Sequence, residues 1–389
     1  MRTAWCSVAV LLLGCLASTA QSSSSSSPLL PPAEARAVPV MFEVPTAPTA
    51  FRADGQWHLC YELRIANLNS APLTLESIEV MDPSGSVLQT VKDNSLDKVL
   101  FHPARSKDSK AGPLTELAPG ETVIAYMWVD VASNANIPSR LQHRVRLQKS
   151  GGQHAAEYEA APTTVLTALP QIMSPLRGNN WVAANGPSNS SGHRRAMIVV
   201  DGTPHISQRY AIDWVQAGDD AKTYHGDPKD NHSYYCFGVE AHAVADATVV
   251  EVKDGIPENV PQQKPVVPID LDTIAGNHVN LDLGGGVYAM YAHLQPGSIR
   301  VKVGDHVVAG QVLGLVGNTG NSSEPHLHFQ LMNANSPLGS EGLPYSLPTY
   351  QLVGKANGDD STPKVDRLAA PQASDGEIPA EDEVVNFQQ

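Results

Sequence analysis

The residues best placed to do chemistry are two histidines separated by one apolar residue, in Pro325-His326-Leu327-His328-Phe329. In a strand, successive side chains alternate faces, so His326 and His328 project to one side about 7 Å apart while Leu327 and Phe329 enter a core. That spacing suits one metal ligand beside one base. The run YAMYAHLQP, 288–296, is a second strand-like stretch that carries His293, and RYAIDW, 209–214, sets Asp213 between apolar residues. Three apolar strands that each deliver an imidazole or a carboxylate make a metal-hydrolase constellation. Zinc is commonly bound by histidine nitrogen and carboxylate oxygen with one position left open.

The elements that must position these groups read as strands throughout. HRRAMIVV, Asp201-Gly202 and TPHISQRYAIDW form a hairpin pattern, Asp-Gly between apolar runs being a strong turn signal. GVEAHAVADATVVEVKDG, 238–255, supplies two more strands, followed by a Pro-rich excursion at 257–268, then NHVNLDL, GVYAMYAHL, Gly turns at 304 and 310, and VLGLVGNTG. The result expected is a compact antiparallel β-sheet domain over 178–352 with almost no helix.

From about Arg194 to Tyr345 the chain resembles the lysostaphin/LytM-type zinc metalloendopeptidases, which cut peptide bonds in bacterial cell-wall peptidoglycan. The resemblance rests on YAHL at 291–294, VKVGDHVVAGQVLGLVGNTG at 301–320, PHLHF at 325–329 and AIDW around Asp213. It implies a zinc ion (Zn2+) held by Asp213 and His328. It implies that His293 and His326 orient or deprotonate the attacking water and stabilise the tetrahedral intermediate. The implied substrate is the cross-linking peptide of peptidoglycan.

One position departs from that family's pattern. Four residues before Asp213, where a His-x-x-x-Asp motif places its first ligand, stands Arg209. A guanidinium stays protonated and has no lone pair to give. Either another residue supplies the third contact or the site holds no zinc. A two-residue turn at Asp201-Gly202 pairs His193 with Tyr210. A three-residue turn through Thr203 pairs it with Ala211, on the face of Arg209 and Asp213. His193 is therefore the candidate third ligand, ahead of His205, His225 and His232. The rival reading is a catalytically inactive domain of the same fold, with Arg209 paired to Asp213, that binds wall or regulates another wall hydrolase.

The 389 residues suffice for two ordinary domains plus tails, and 42% apolar content is typical of globular protein. A net charge of −14 argues against nucleic acid as a partner. Residues 1–21 read as an export signal, with Arg2, an apolar core from Val8 to Leu13, and small residues after it. Ser18-Thr19-Ala20 suits ordinary signal peptidase, whereas Leu12-Leu13-Gly14-Cys15 resembles a bacterial lipobox with Cys15 as the lipid anchor. No further stretch is long and apolar enough for a membrane span. The expected location is thus exported: periplasmic, envelope or extracellular. Residues 22–39 read as a flexible linker, and 40–159, with alternating strands such as WHLCYELRIANL and TVIAYMWVDV, as a β-sandwich of unknown role. Residues 160–177 form a second linker, and 353–389, acidic and poor in aromatics, a disordered tail. Cys60 and Cys236 are expected to be buried small apolar residues. The fold class is all-β: an N-terminal sandwich, then a metallopeptidase-like antiparallel sheet.

Overall fold

Alternation along the strands builds both halves of the molecule. The computed structural model describes residues 39–387 apart from 104, 106–111, 150–151, 153–154 and 358–363. The export segment, Cys15 and the linker up to residue 38 lie outside the described residues. Among those described, pairing between strands is antiparallel, the one α-helix is the single-turn Asn94–Val99, and no helix is long and apolar enough to cross a membrane.

The first half has two sheets. Gln56–Asn67 lies between Val40–Glu43 and Thr122–Val131 in one, and Arg140–Lys149 lies between Ala155–Glu159 and Leu73–Met81 in the other. Odd positions of Gln56–Asn67 (Leu59, Tyr61, Leu63, Ile65) join Val123, Ala125, Met127 and Val129 in one core with Leu75, Ile78, Val145 and Leu147 of the facing sheet. A sandwich strand with a free outer face would be polar at its even positions. Here Cys60 and Glu62 are buried as well, because the second half of the chain covers that face.

Beside two two-stranded sheets, Ile198–Val200 with Thr203–His205 and Glu240–His242 with Val312–Leu315, the second half is built on one long sheet. Its order runs His306–Val307, Ala247–Lys253, Asn277–Asp282, Tyr288–Leu294, Leu327–Met332, Ile212–Gln216, Gly178–Ala184, Glu383–Phe387, Tyr350–Asn357, Lys364–Ser374. Leu281, Tyr291, Phe329 and Trp214 fill its core, with Tyr291 and Phe329 edge to face at 5.2 Å. The hairpin at Asp201-Gly202 has the two-residue turn, with Val200 opposite Thr203, and its strands are short: Ile198–Val200 and Thr203–His205. Cys60 and Cys236 are free and buried.

Two expectations about segments fail. The described residues of 353–389 are not a disordered tail: the sheet continues through Tyr350–Asn357 and Lys364–Ser374, and Glu383–Phe387 inserts between Tyr350–Asn357 and Gly178–Ala184. The acidic average conceals Ile378, Val384, Val385 and Phe387, all buried. The outer strand Lys364–Ser374 is polar and carries Pro371, which an edge tolerates. Residues 160–177 are not a free linker either. Ile172 and Leu176 are in the core, Ile172 N donates to Ser346 O at 3.0 Å, and Met173 N to Val244 O at 2.8 Å.

Candidate metal centre

Strand register brings the first two groups together. Asp213 is the direct cross-strand partner of His328 on one side and of Ala184 on the other, and Ala292 lies opposite His328. Partners in adjacent strands share a face, so the Asp213 carboxylate meets the His328 ring, Oδ1 to Nδ1 at 2.8 Å. The next residue after Ala292 is His293, whose φ of +63° turns the chain as the strand ends. His326 stands just before its strand, bridged to Gly317, so the Gly317–His326 loop folds back over His293. Ring centroids of His293 and His326 are 4.7 Å apart.

His193 also reaches the site, by a different route from the one its spacing suggested. The hairpin ladder stops at Ile198, and residues 191–196 form turns rather than a strand. The two-residue register holds, so His193 has no ladder partner. The turns nevertheless lay its ring beside Ala211, with Nε2 3.3 Å from Asp213 Oδ2. His193, Asp213 and His328 each offer one ligand atom, and these atoms lie within 4.8 Å of one another. His205 instead pairs with Glu341, His225 stacks on Tyr235 and His232 on Phe237, so none of the three is part of this group.

Hydrogen-bond partners assign the tautomers. His193 Nδ1–H donates to Asn185 O at 3.0 Å, and His326 Nδ1–H to Glu324 O at 2.8 Å. His328 Nε2–H donates to Gln330 Oε1 at 2.9 Å, the Gln330 amide being oriented by its own donation to Ser207 Oγ at 2.9 Å. Each of these three rings therefore turns its bare nitrogen toward one carboxylate, Asp213, which has no proton to offer. A meeting of acceptors needs positive charge between them, either protons or a metal ion. Two nitrogens and a carboxylate oxygen with an open side match the donor set of a zinc site, and outward N–H groups held by carbonyls or amides are its usual supporting shell. The residues present fit the metal.

Electrostatics run the same way. Burial pushes the Asp213 carboxyl up, but His193 and His326 more than offset this and hold it well below the usual carboxylate range. Burial lowers His193 and His326, and the Asp213 charge prevails and raises both. His293 lies well below the ordinary histidine value, from burial first and from His326 and His328 next. Its Nδ1–H donates to Thr319 O at 2.7 Å, which leaves Nε2 unprotonated. The cleft has a volume of about 380 Å³; Ile198, Ile274, Met290 and Leu338 form apolar walls around the polar floor.

Arg209 does not touch Asp213. Its guanidinium is buried against Glu62, Nη2 to Oε2 at 2.8 Å, and against Glu341 at 2.7 Å. Three contributors were not foreseen. Gln330 follows His328 at the strand period of two, a signal that was available. Asn185, whose Nδ2 donates to Asp213 Oδ2 at 2.9 Å, sits in an Asn-Gly turn just past the residue opposite Asp213. Glu62 comes from the other half of the chain and has no local signature.

Residues 236–339 match the family model of Peptidase family M23, and the chain carries an M23 domain there. His293, His326 and His328 lie inside the match; His193 and Asp213 lie upstream of it. Lysostaphin of Staphylococcus simulans is 50% identical over 84 residues, 21% of this chain and 17% of that protein. Peptidoglycan DD-endopeptidase ShyA of Vibrio cholerae is 41% identical over 75 residues, 17% of each. The chain thus spans less than a fifth of the length of these relatives. Among solved structures, the catalytic domain of lysostaphin from Staphylococcus simulans aligns with 42% of this chain and 88% of its own, at 23% identity and a TM-score of 0.24.

Proposed function

We propose that this chain is an exported zinc metalloendopeptidase that hydrolyses peptide bonds in peptidoglycan cross-links. The observation that carries the proposal is the convergence of bare imidazole nitrogens on Asp213. The M23 match and the peptidoglycan-cleaving relatives support the substrate class. Asp213, His328 and His193 would hold the metal. A zinc ion supplies a Lewis acid there, which polarises a peptide carbonyl and brings the pKa of water toward neutrality. His293 and His326 face the same cleft, His293 with Nε2 unprotonated and His326 with Nε2 3.5 Å from Asp213 Oδ1. In this reading they take the proton from water and return it to the leaving amine, each kept in the required tautomer by a carbonyl behind Nδ1. The apolar walls shield the polar floor from bulk water and would seat the peptide backbone.

The inactive-domain reading draws on the ligand missing at Arg209. The commitment of Arg209 to Glu62 and Glu341, which leaves Asp213 to the histidines, supports the active reading. An envelope or extracellular location follows from the substrate proposed, and Cys15 remains the candidate anchor.

The test is zinc content and activity together. The parent chain should bind about one zinc per chain and release new amino groups from purified peptidoglycan. Asp213→Ala should lose both, His193→Ala should lose activity and bind zinc only weakly, and His293→Ala should keep the metal and lose activity. A parent that takes up no zinc, or Asp213→Ala with full activity, refutes the reading.

A further inference from the structure

His193 is the one member of the metal group that stands on a turn rather than a strand, so its placement depends on what fixes its flanks. On its N-terminal side the turn is held locally, by Ser191 Oγ donating to Asn185 O at 2.7 Å and by the His193 ring on the same carbonyl, and within the turn by bonds such as Ala196 N to His193 O at 3.2 Å. On its C-terminal side the anchorage comes from the first half of the molecule. Arg194, the next residue, is fully buried; its Nη1 donates to Glu62 Oε1, its Nη2 to Tyr61 O at 2.8 Å, and its guanidinium lies 4.7 Å from the Tyr126 ring centroid. Arg195 stacks on the same ring at 4.3 Å and donates to Lys98 O at 2.8 Å, while Asn189 Nδ2 donates to Tyr126 O at 3.0 Å. Glu62 also takes Arg209, four residues before Asp213. One carboxylate in the middle of the strand Gln56–Asn67 thus grips both segments that deliver groups from outside the M23 match, His193 and Asp213.

A buried ion cluster adds little stability over apolar side chains of the same volume, so stability alone does not account for it. What a guanidinium fork supplies on a carboxylate is fixed geometry. Arg209 cannot be a ligand, and its guanidinium is committed to Glu62 and Glu341. The bare nitrogen needed at Asp213 comes from the neighbouring turn.

We propose that Glu62 is a positioning residue for the metal centre: through Arg194 it sets the place of His193, so the N-terminal half is part of the site's scaffold and not an independent binding module. This rests on the zinc reading above.

The experiment is a competition titration of the full chain with zinc against a chromophoric chelator, as parent, Glu62→Gln, His193→Ala and the double variant. Gln keeps the shape and removes the charge. Glu62→Gln should weaken zinc binding on the order of 10–100-fold, as loss of supporting contacts does, and should weaken it little further in the His193→Ala background. If Glu62→Gln does not fold, the triple variant Glu62→Met/Arg194→Leu/Arg209→Met leaves no charge unpaired at Glu62 and should show the same loss. Unchanged affinity in Glu62→Gln or the triple variant overturns the inference while the zinc reading stands. An equal loss with and without His193 does the same, since Glu62 would then act on fold stability and not through that ring. A parent that binds no zinc overturns both.

Discussion

The C-terminal strand Glu383–Phe387 offers a sharp quantitative test, because composition and structure give opposite answers for it. Phe387 is 4% exposed and packs edge to face on Trp214, ring centroids 5.2 Å apart, directly behind Asp213. Phe387→Ala removes most of a buried ring. Such truncations cost about 3–5 kcal/mol, and because this strand is the last one described, with room to collapse, the low end of about 3 applies. With a urea slope of about 3 kcal/mol/M, suited to a chain of this size, the unfolding midpoint falls by about 1 M. Trp214 fluorescence is the direct probe, since its indole is fully buried against the deleted ring. If residues 353–389 were a solvated tail, the substitution would stay within about 0.5 kcal/mol, a shift under about 0.2 M. A midpoint that does not move would refute the placement of this strand between Gly178–Ala184 and Tyr350–Asn357.

Three further outcomes are expected. Burial lifts the Glu383 carboxyl to about 7 from 4.5, against a hydrogen bond from Ala380 N. The folded chain keeps that proton after the unfolded chain has lost it, so the contribution is full below about pH 4.5 and falls by roughly 3 kcal/mol as pH rises through 7. Glu383→Gln should flatten the decline in urea midpoint between pH 5 and 8, and an unaltered slope counts against the buried placement. Gln330→Leu removes the acceptor of His328 Nε2–H and should weaken zinc about 10–100-fold with an unchanged circular dichroism spectrum; equal affinity would mean that the amide does not orient the ring. Arg209→Met should destabilise by about 3–5 kcal/mol, since Glu62 loses one of its two guanidinium partners and Glu341 keeps only His205, yet leave zinc near one per chain by elemental analysis. Loss of zinc with the fold intact would show that Arg209 serves the site directly.

What could be read in the sequence divides along physical lines. The period of two carries His326, His328 and the Asp213 strand, because a one-residue slip would move a whole apolar set out of the core. Gln330 obeys the same period and was available to the same reasoning. The tail was misread because a composition average weights every residue equally, whereas burial of Ile378, Val384, Val385 and Phe387 alone decides whether the segment docks. Contacts such as Glu62 with Arg194, 132 residues apart, leave no local pattern, so the dependence of the site on the first half was invisible.

In the proposed zinc reading, a missing ligand at Arg209 does not by itself make the site dead. A metal site is defined by where lone pairs converge, and a strand offers several ways to bring a nitrogen to one point. By the His-x-x-x-Asp spacing position 209 would be the donor, but Arg209, in the turn before the strand Ile212–Gln216, has no lone pair to give. Reading across it, Ala184 lies opposite Asp213, and the turn that follows that partner strand carries both Asn185 and His193. The nitrogen at Asp213 Oδ2 thus comes from the adjacent loop, and Arg209 is turned onto Glu62, on the outer face of the first half's sheet. Neither Arg209 nor His193 has a ladder partner, since both stand in turns, and in the proposed reading the buried cluster of Glu62, Arg194 and Arg209 supplies the tether. Restoring histidine at 209 without removing Glu62 would leave that carboxylate with one partner fewer, so Arg209→His alone should lose stability and gain no metal affinity.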